Sequence, residues 1–108
     1  MRDLDETCHE LSLEPTPELE YFRGHFPASP ILPGVVQIDW ARHYGVGRFP
    51  NLGAFKGMET IKFYQVIQPG LRVTLRLDLN RDRAALKFQY HSELGRHSSG
   101  TLLFHAQA

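Results

Sequence analysis

Residues 33–45 read Pro33-Gly34-Val35-Val36-Gln37-Ile38-Asp39-Trp40-Ala41-Arg42-His43-Tyr44-Gly45 and break an otherwise β-like chain. Proline near the start and glycine at the end are helix punctuation. The apolar residues Val35, Val36, Ile38, Trp40, Ala41 and Tyr44 surround more of the helix than one stripe would, which predicts cover on several sides. A buried helix of about 12 residues, ~18 Å long, requires a sheet to cover it. The economical solution is an α+β fold, an antiparallel sheet wrapped around one long central helix.

The flanking sequence supplies that sheet. Residues 72–80 alternate strictly, with Val73, Leu75, Leu77 and Leu79 on one side and Arg72, Thr74, Arg76, Asp78 and Asn80 on the other. Asn80, Arg81 and Asp82 carry turn chemistry, and Ala84, Leu86, Phe88 and Tyr90 then alternate with polar partners, so the two runs predict a hairpin. A last strand around Thr101 to His105 is apolar on both sides near its middle and is expected inside the sheet. Residues 58–66 are rich in aromatic and β-branched side chains and end near the Pro69-Gly70 turn pair. Residues 8–13 and 19–22, on either side of Pro15-Thr16-Pro17, complete an expectation of about six strands.

With 108 residues, 42% hydrophobic and 22% charged, the chain is expected to form one globular domain over residues 1–108. Its acidic start and short apolar runs predict a cytoplasmic protein without membrane insertion. Cys8 is the one cysteine, which excludes an internal disulfide and a cysteine metal cluster. A formal charge of zero argues against a nucleic-acid binder. That total hides an asymmetry: residues 1–55 hold four Arg and eight acids, net −4, and residues 56–108 hold eight Lys or Arg and four acids, net +4. Such charges usually solvate an outer sheet face.

Two polar features stand out. Asp39 lies in the apolar helix, where burying a carboxylate costs several kcal/mol unless it is paired or protonated. A bond to a nearby amide or to Arg42 would satisfy it, so spacing alone does not decide its role. The stretch from Gly24-His25-Phe26-Pro27 to Pro30-Ile31-Leu32-Pro33-Gly34 holds three prolines that stiffen a path into the helix, and it carries His25. His9, His43, His91, His97 and His105 show no ligand spacing, and no metal is expected. Nucleophile-elbow, phosphate-loop and dinucleotide-glycine motifs are absent from the sequence.

Taken together, Gly24-His25-Phe26-Pro27, the Pro30-Ile31-Leu32-Pro33-Gly34 helix entry and an acid 14 residues beyond His25 resemble the signature of the 3-hydroxyacyl-[acyl-carrier-protein] dehydratases. Ile61-Lys62-Phe63 followed by Pro69-Gly70 resembles the family's next landmark, and Gln37-Ile38-Asp39-Trp40 is similar to the short dehydratases of aryl polyene biosynthesis. The resemblance implies a hot-dog fold and a dimer, or a hetero-oligomer with a related subunit. It also implies two sites at the subunit interface, where His25 of one chain faces Asp39 of the other.

By the same comparison His25 removes the proton beside the thioester carbonyl, Asp39 holds or protonates the departing 3-hydroxyl, and the Gly34 amide bonds the thioester oxygen. Each role has a physical basis. A neutral imidazole is available as a base near pH 7, and the first amides of a helix are unpaired donors at its positive end. Asp39 can donate only if burial favours its protonated form. The implied partner is an acyl carrier protein, whose phosphopantetheine presents the substrate, and no other cofactor is expected. The chain departs from the family's main branch in having Asp39 for glutamate and His43 for glutamine. Two other readings keep the fold: a thioesterase, which releases thiol, and a non-catalytic acyl-binding subunit, which forms no product.

Overall fold

The computed structural model describes residues 2–5, 7–15 and 31–106. In chain order these form β1 (Arg2–Asp5), β2 (Cys8–Leu13), α1 (Gly34–Arg48), β3 (Leu52–Phe63), β4 (Val73–Asn80), β5 (Ala85–Ser92) and β6 (Gly95–Ala106). The strands make one antiparallel sheet in the order β1-β2-β4-β5-β6-β3, with α1 against one face. This is the expected α+β hot-dog arrangement.

The strict alternation of residues 72–80 has the predicted result. Val73, Leu75 and Leu77 are fully buried, and β4 pairs β5 in unbroken register from Thr74↔His91 to Asn80↔Ala85. Leu86, Phe88, Tyr90, Leu102 and Phe104 extend the same inner surface across β5 and β6. Each such Leu or Phe contributes about 1.5–3 kcal/mol relative to exposure. β6 lies between β5 and β3, as its two-sided apolar character predicts.

β3 departs from expectation. It begins at Leu52 and stops at Phe63, where the sequence predicts residues 58–66. Its pairing with β6 shifts register three times, and Thr60 has φ 55°. Such bulges twist an edge strand away from regular pairing. Residues 64–67 leave the sheet to make other bonds, described below. β1 was not anticipated, and the strand expected at residues 19–22 lies outside the described residues.

The helix differs in two ways. It runs three residues past Gly45, because that glycine serves packing: a Cβ there would collide with the Leu86 side chain. Gln37, Ala41 and Gly45, spaced by four, bring the helix close to the sheet. Cover is also one-sided. Val36, Gln37, Ala41 and Gly45 are buried, whereas Val35 is 75% exposed and Val46 is exposed too. Apolar residues around the helix had predicted cover on several sides; among the described residues only the face toward the sheet is covered.

The opposed charges of the two halves meet in the fold. Glu10 of β2 is the register partner of Arg76 of β4, with 3.6 Å between their charged groups, and Arg76 also bonds Asp78 at 3.0 Å. Arg72 lies 3.9 Å from Glu14, and Arg83 lies 3.2 Å from Glu59. Arg72, Arg76 and Arg83 of the basic second half are thus paired on the outer sheet surface, where such pairs contribute little stability.

Candidate active site

Pro33, with φ −60° and ψ 147°, caps α1 and leaves Gly34 as its first residue. Its carbonyl takes the amides of Val36 and Gln37 at 3.1 and 3.2 Å. As first helical residue, Gly34 has an amide outside the intrahelical ladder, at the positive end of the helix. The Phe63 ring lies directly over it, so close that a Cβ on Gly34 would sit 2.6 Å from Cζ of that ring. A side chain at this position would displace the exposed Phe63 ring from the turn. Beside Gly34 opens a cavity of about 360 Å³, lined by Ile31, Leu32, Gln37, Phe63, Tyr64, Gln65 and Val66.

Asp39 stands elsewhere. Five residues along a helix correspond to about 140° of rotation, and the Asp39 carboxylate faces a second groove, of about 210 Å³, with Val35, Ile38, Arg42, Phe55 and Met58. Its side chain is 62% exposed, and Oδ1 lies 3.4 Å from Nη2 of Arg42. The Arg42 guanidinium also sits 5.4 Å over the Phe55 ring. The expected burial of Asp39 is therefore corrected for the single chain: the outer helix face has no cover from its own sheet. Gly34 and Asp39 open on different cavities. His25, the third residue of the expected site, lies outside the described residues. His43, at the position of the family glutamine, is exposed and meets Tyr44 edge-on at 5.3 Å.

A buried polar frame surrounds the Gly34 cavity, and sequence reasoning missed it. Gln37 is 3% exposed; its Nε2 donates to the Leu32 carbonyl at 3.1 Å and its Oε1 accepts from the Ser98 hydroxyl at 2.7 Å. Its backbone carbonyl accepts from the Tyr90 hydroxyl at 2.7 Å. Burial pushes the Tyr90 phenol well above its ordinary range. Across the cavity, His97 is fully buried between Val66 and Ser92, with Nδ1 3.0 Å from the Val66 carbonyl and Nε2 2.6 Å from Ser92 Oγ. A carbonyl only accepts, so Nδ1 carries the proton and Nε2 accepts from the serine. The Ser92 oxygen in turn takes the Leu94 amide at 3.0 Å. The available signal was Gln37 itself, a polar residue on the stripe shared with Ala41 and Gly45.

At the cavity rim, the Arg96 guanidinium lies 4.6 Å over the Tyr64 ring. A hydrogen bond to Ser99 first, then the positive charges of Arg96 and Lys62, hold the Tyr64 phenol below its ordinary range. A separate cavity of about 240 Å³, lined by Arg48, Phe49, Asn51 and Arg81 among others, lies at the other end of the helix. Among the described residues no cluster of His, Cys, Asp and Glu could hold a metal ion, and no helix is long and apolar enough to cross a membrane.

Known proteins place this geometry in a family. A chain of the dehydratase heterocomplex ApeI:P from Xenorhabdus doucetiae is 33% identical, superposes with a TM-score of 0.88, and is matched over 95% of this chain and 91% of that one. An uncharacterized protein from Erwinia carotovora subsp. atroseptica is 35% identical with a TM-score of 0.83, over 97% and 89%. The 3-hydroxyacyl-[acyl-carrier-protein] dehydratase FabZ of Novosphingobium aromaticivorans is 33% identical over 86 residues, 70% of this chain and 54% of that protein. The chain spans about half the length of that curated relative. Residues 1–101 match the profile of the ApeI dehydratase family, and the chain belongs to this ApeI-like family.

Proposed function

We propose that the protein dehydrates a (3R)-3-hydroxyacyl thioester, carried on the phosphopantetheine of an acyl carrier protein, to the trans-2-enoyl thioester, in aryl polyene or fatty-acid-like biosynthesis in the cytoplasm. His25 takes the proton from the carbon next to the thioester carbonyl. The Gly34 amide bonds the carbonyl oxygen as negative charge develops on it, a donor whose loss typically costs about 3–4 kcal/mol of transition-state stabilisation. Asp39 holds the 3-hydroxyl as the C–O bond breaks, and the proton with which it leaves as water comes from Asp39 itself where it is protonated or from the His25 imidazolium formed by taking the α-proton. No redox step occurs, so the chemistry calls for no cofactor beyond the carrier's own arm.

One observation carries this reading. Gly34 and Asp39 lie on one helix but face separate cavities, each lined by apolar side chains. A reaction centre using both draws Gly34 from one chain and Asp39 from another. The exposed Val35, Phe55 and Met58 around Asp39, beside β3, the last strand of the sheet among the described residues, supply an apolar surface for that second chain. The second chain is a copy of this one or a related subunit, such as the heterocomplex of the Xenorhabdus relative pairs. Its cover would also desolvate Asp39, which acid catalysis requires.

The test is absorbance of the conjugated enoyl thioester when a (3R)-3-hydroxyacyl pantetheine or carrier-protein thioester is added. Native protein should turn over and His25→Ala should lose at least about 10²-fold in rate. Equal rates for the two, or thiol release in place of the enoyl signal, overturn the reading.

A further inference from the structure

The turn that presents Gly34 is fastened on both sides by hydrogen bonds, one from the backbone and one from a side chain. The Leu32 amide donates to the Ile67 carbonyl at 2.8 Å, while the Leu32 carbonyl accepts from Gln37. Gln37 cannot flip its amide: Nε2 faces a carbonyl that only accepts, and Oε1 faces the hydroxyl of Ser98, itself fully buried on β6. The opposite wall, residues 64–67, is held to the same strand. The His97 carbonyl accepts from the amides of Tyr64 and Gln65 at 2.8 and 3.3 Å, and its ring Nδ1 donates to the Val66 carbonyl. Gln65 Nε2 donates to the carbonyls of Leu94 and Arg96 at 2.9 and 3.0 Å.

We infer that Gln37, anchored by Ser98, is a positioning residue: it sets the Leu32-Pro33-Gly34 turn, and with it the direction of the Gly34 amide, relative to the wall that His97 fixes. The inference rests on the reading of Gly34 as the carbonyl donor. Such a donor acts only if it is already aimed where charge develops, and a displacement near 1 Å can cost about 10²-fold in rate. Pro33 offers no side-chain cap to hold the turn. Two neighbouring strand residues, His97 and Ser98, therefore hold the two sides of the cavity, at the place where the pairing of β5 with β6 shifts register between Tyr90 and His91.

Gln37→Leu removes both side-chain bonds at similar volume, and Ser98→Ala releases only the Oε1 anchor. With a (3R)-3-hydroxyacyl pantetheine thioester, Gln37→Leu should lower kcat about 10²-fold with KM within about twofold, and Ser98→Ala should fall between it and native. In amide NMR of the same proteins the Gly34 and Leu32 resonances should move, and Leu32 exchange should quicken. A folded Gln37→Leu with native Gly34 and Leu32 amides overturns the inference, as does a melting-point loss with unchanged kcat. If Gln37→Leu does not fold, Ser98→Ala is judged on the same readouts. If native protein lacks turnover, dehydration is lost as the function and the amide signals alone decide the frame: displaced signals sustain it and native ones reject it.

Discussion

The two faces of α1 are built on opposite terms. On the inner face the amide nitrogen and oxygen of the Gln37 side chain and its backbone carbonyl have partners inside the same chain, through Leu32, Ser98 and Tyr90. On the outer face Asp39 makes a long contact with Arg42, 3.4 Å, and Val35 beside it is 75% exposed. The inner face is finished by its own sheet, whereas the outer face combines an acid with uncovered apolar surface. One helix thus serves the folding of its own chain on one side and is open to another chain on the other. Changes on the two sides should differ in kind: outer ones should cost activity or association and spare the stability of the chain, whereas inner ones should cost stability, with activity lost as well where, as at Gln37, they release the Gly34 turn.

The largest effect is expected at Asp39. Asp39→Asn should lower kcat by about 10²-fold or more while thermal stability of the single chain stays within about 0.5 kcal/mol, as for an exposed position. A variant that melts early instead would mean that the carboxylate is structural, and the contrast between the faces would be lost. Next in size is Val35→Arg, which places a charge in the apolar rim around Asp39. Association should weaken by at least about tenfold in Kd, read by sedimentation, with turnover falling in parallel. Undiminished association would place the second chain on another surface.

On the inner face, Tyr90→Phe removes only the hydroxyl that bonds the Gln37 carbonyl. It should cost about 1 kcal/mol in denaturant unfolding and leave kcat unchanged. The smallest effect is one of titration. Tyr64 should form phenolate below its ordinary pH near 10, at a wavelength and pH where Tyr64→Phe lacks the signal, and Tyr90 should ionise only as the protein unfolds. The signs are opposite. The raised Tyr90 makes a contribution that is complete below about pH 10 and fades as pH rises beyond it. The lowered Tyr64 makes one that is present above about pH 10 and is lost as pH falls through its folded pKa. Identical titration of both phenols would show that the buried frame and the exposed rim do not differ electrostatically.

The helix shows how far the sequence could be read. Proline and glycine punctuation located it, and the Gly34 end fell where predicted, since a proline fixes the entry in any context. Its other end did not, because Gly45 is glycine for the sake of Leu86, a contact 41 positions away that no local rule contains. The edge strand β3 was shifted for a related reason. Its residues are exposed or half-buried on both faces, so the period-2 pattern that revealed β4 is missing. His97 illustrates the limit at the site: among six histidines it had no distinguishing spacing, and its role comes from burial between Val66 and Ser92.

By itself the sequence determined the α+β class, the β4–β5 hairpin, the interior place of β6 and the motif that marks the family. Those properties follow from local periodicity, turn chemistry and a contiguous run of residues. Only the tertiary structure decided which side of α1 is covered, that Gly34 and Asp39 face different cavities, and that Gln37, Ser98 and His97 frame one of them. These depend on the angle at which the helix meets the sheet and on pairs as distant as Gln37 and Ser98. Such contacts are set when the whole chain closes around its core, and no stretch of residues read alone contains them.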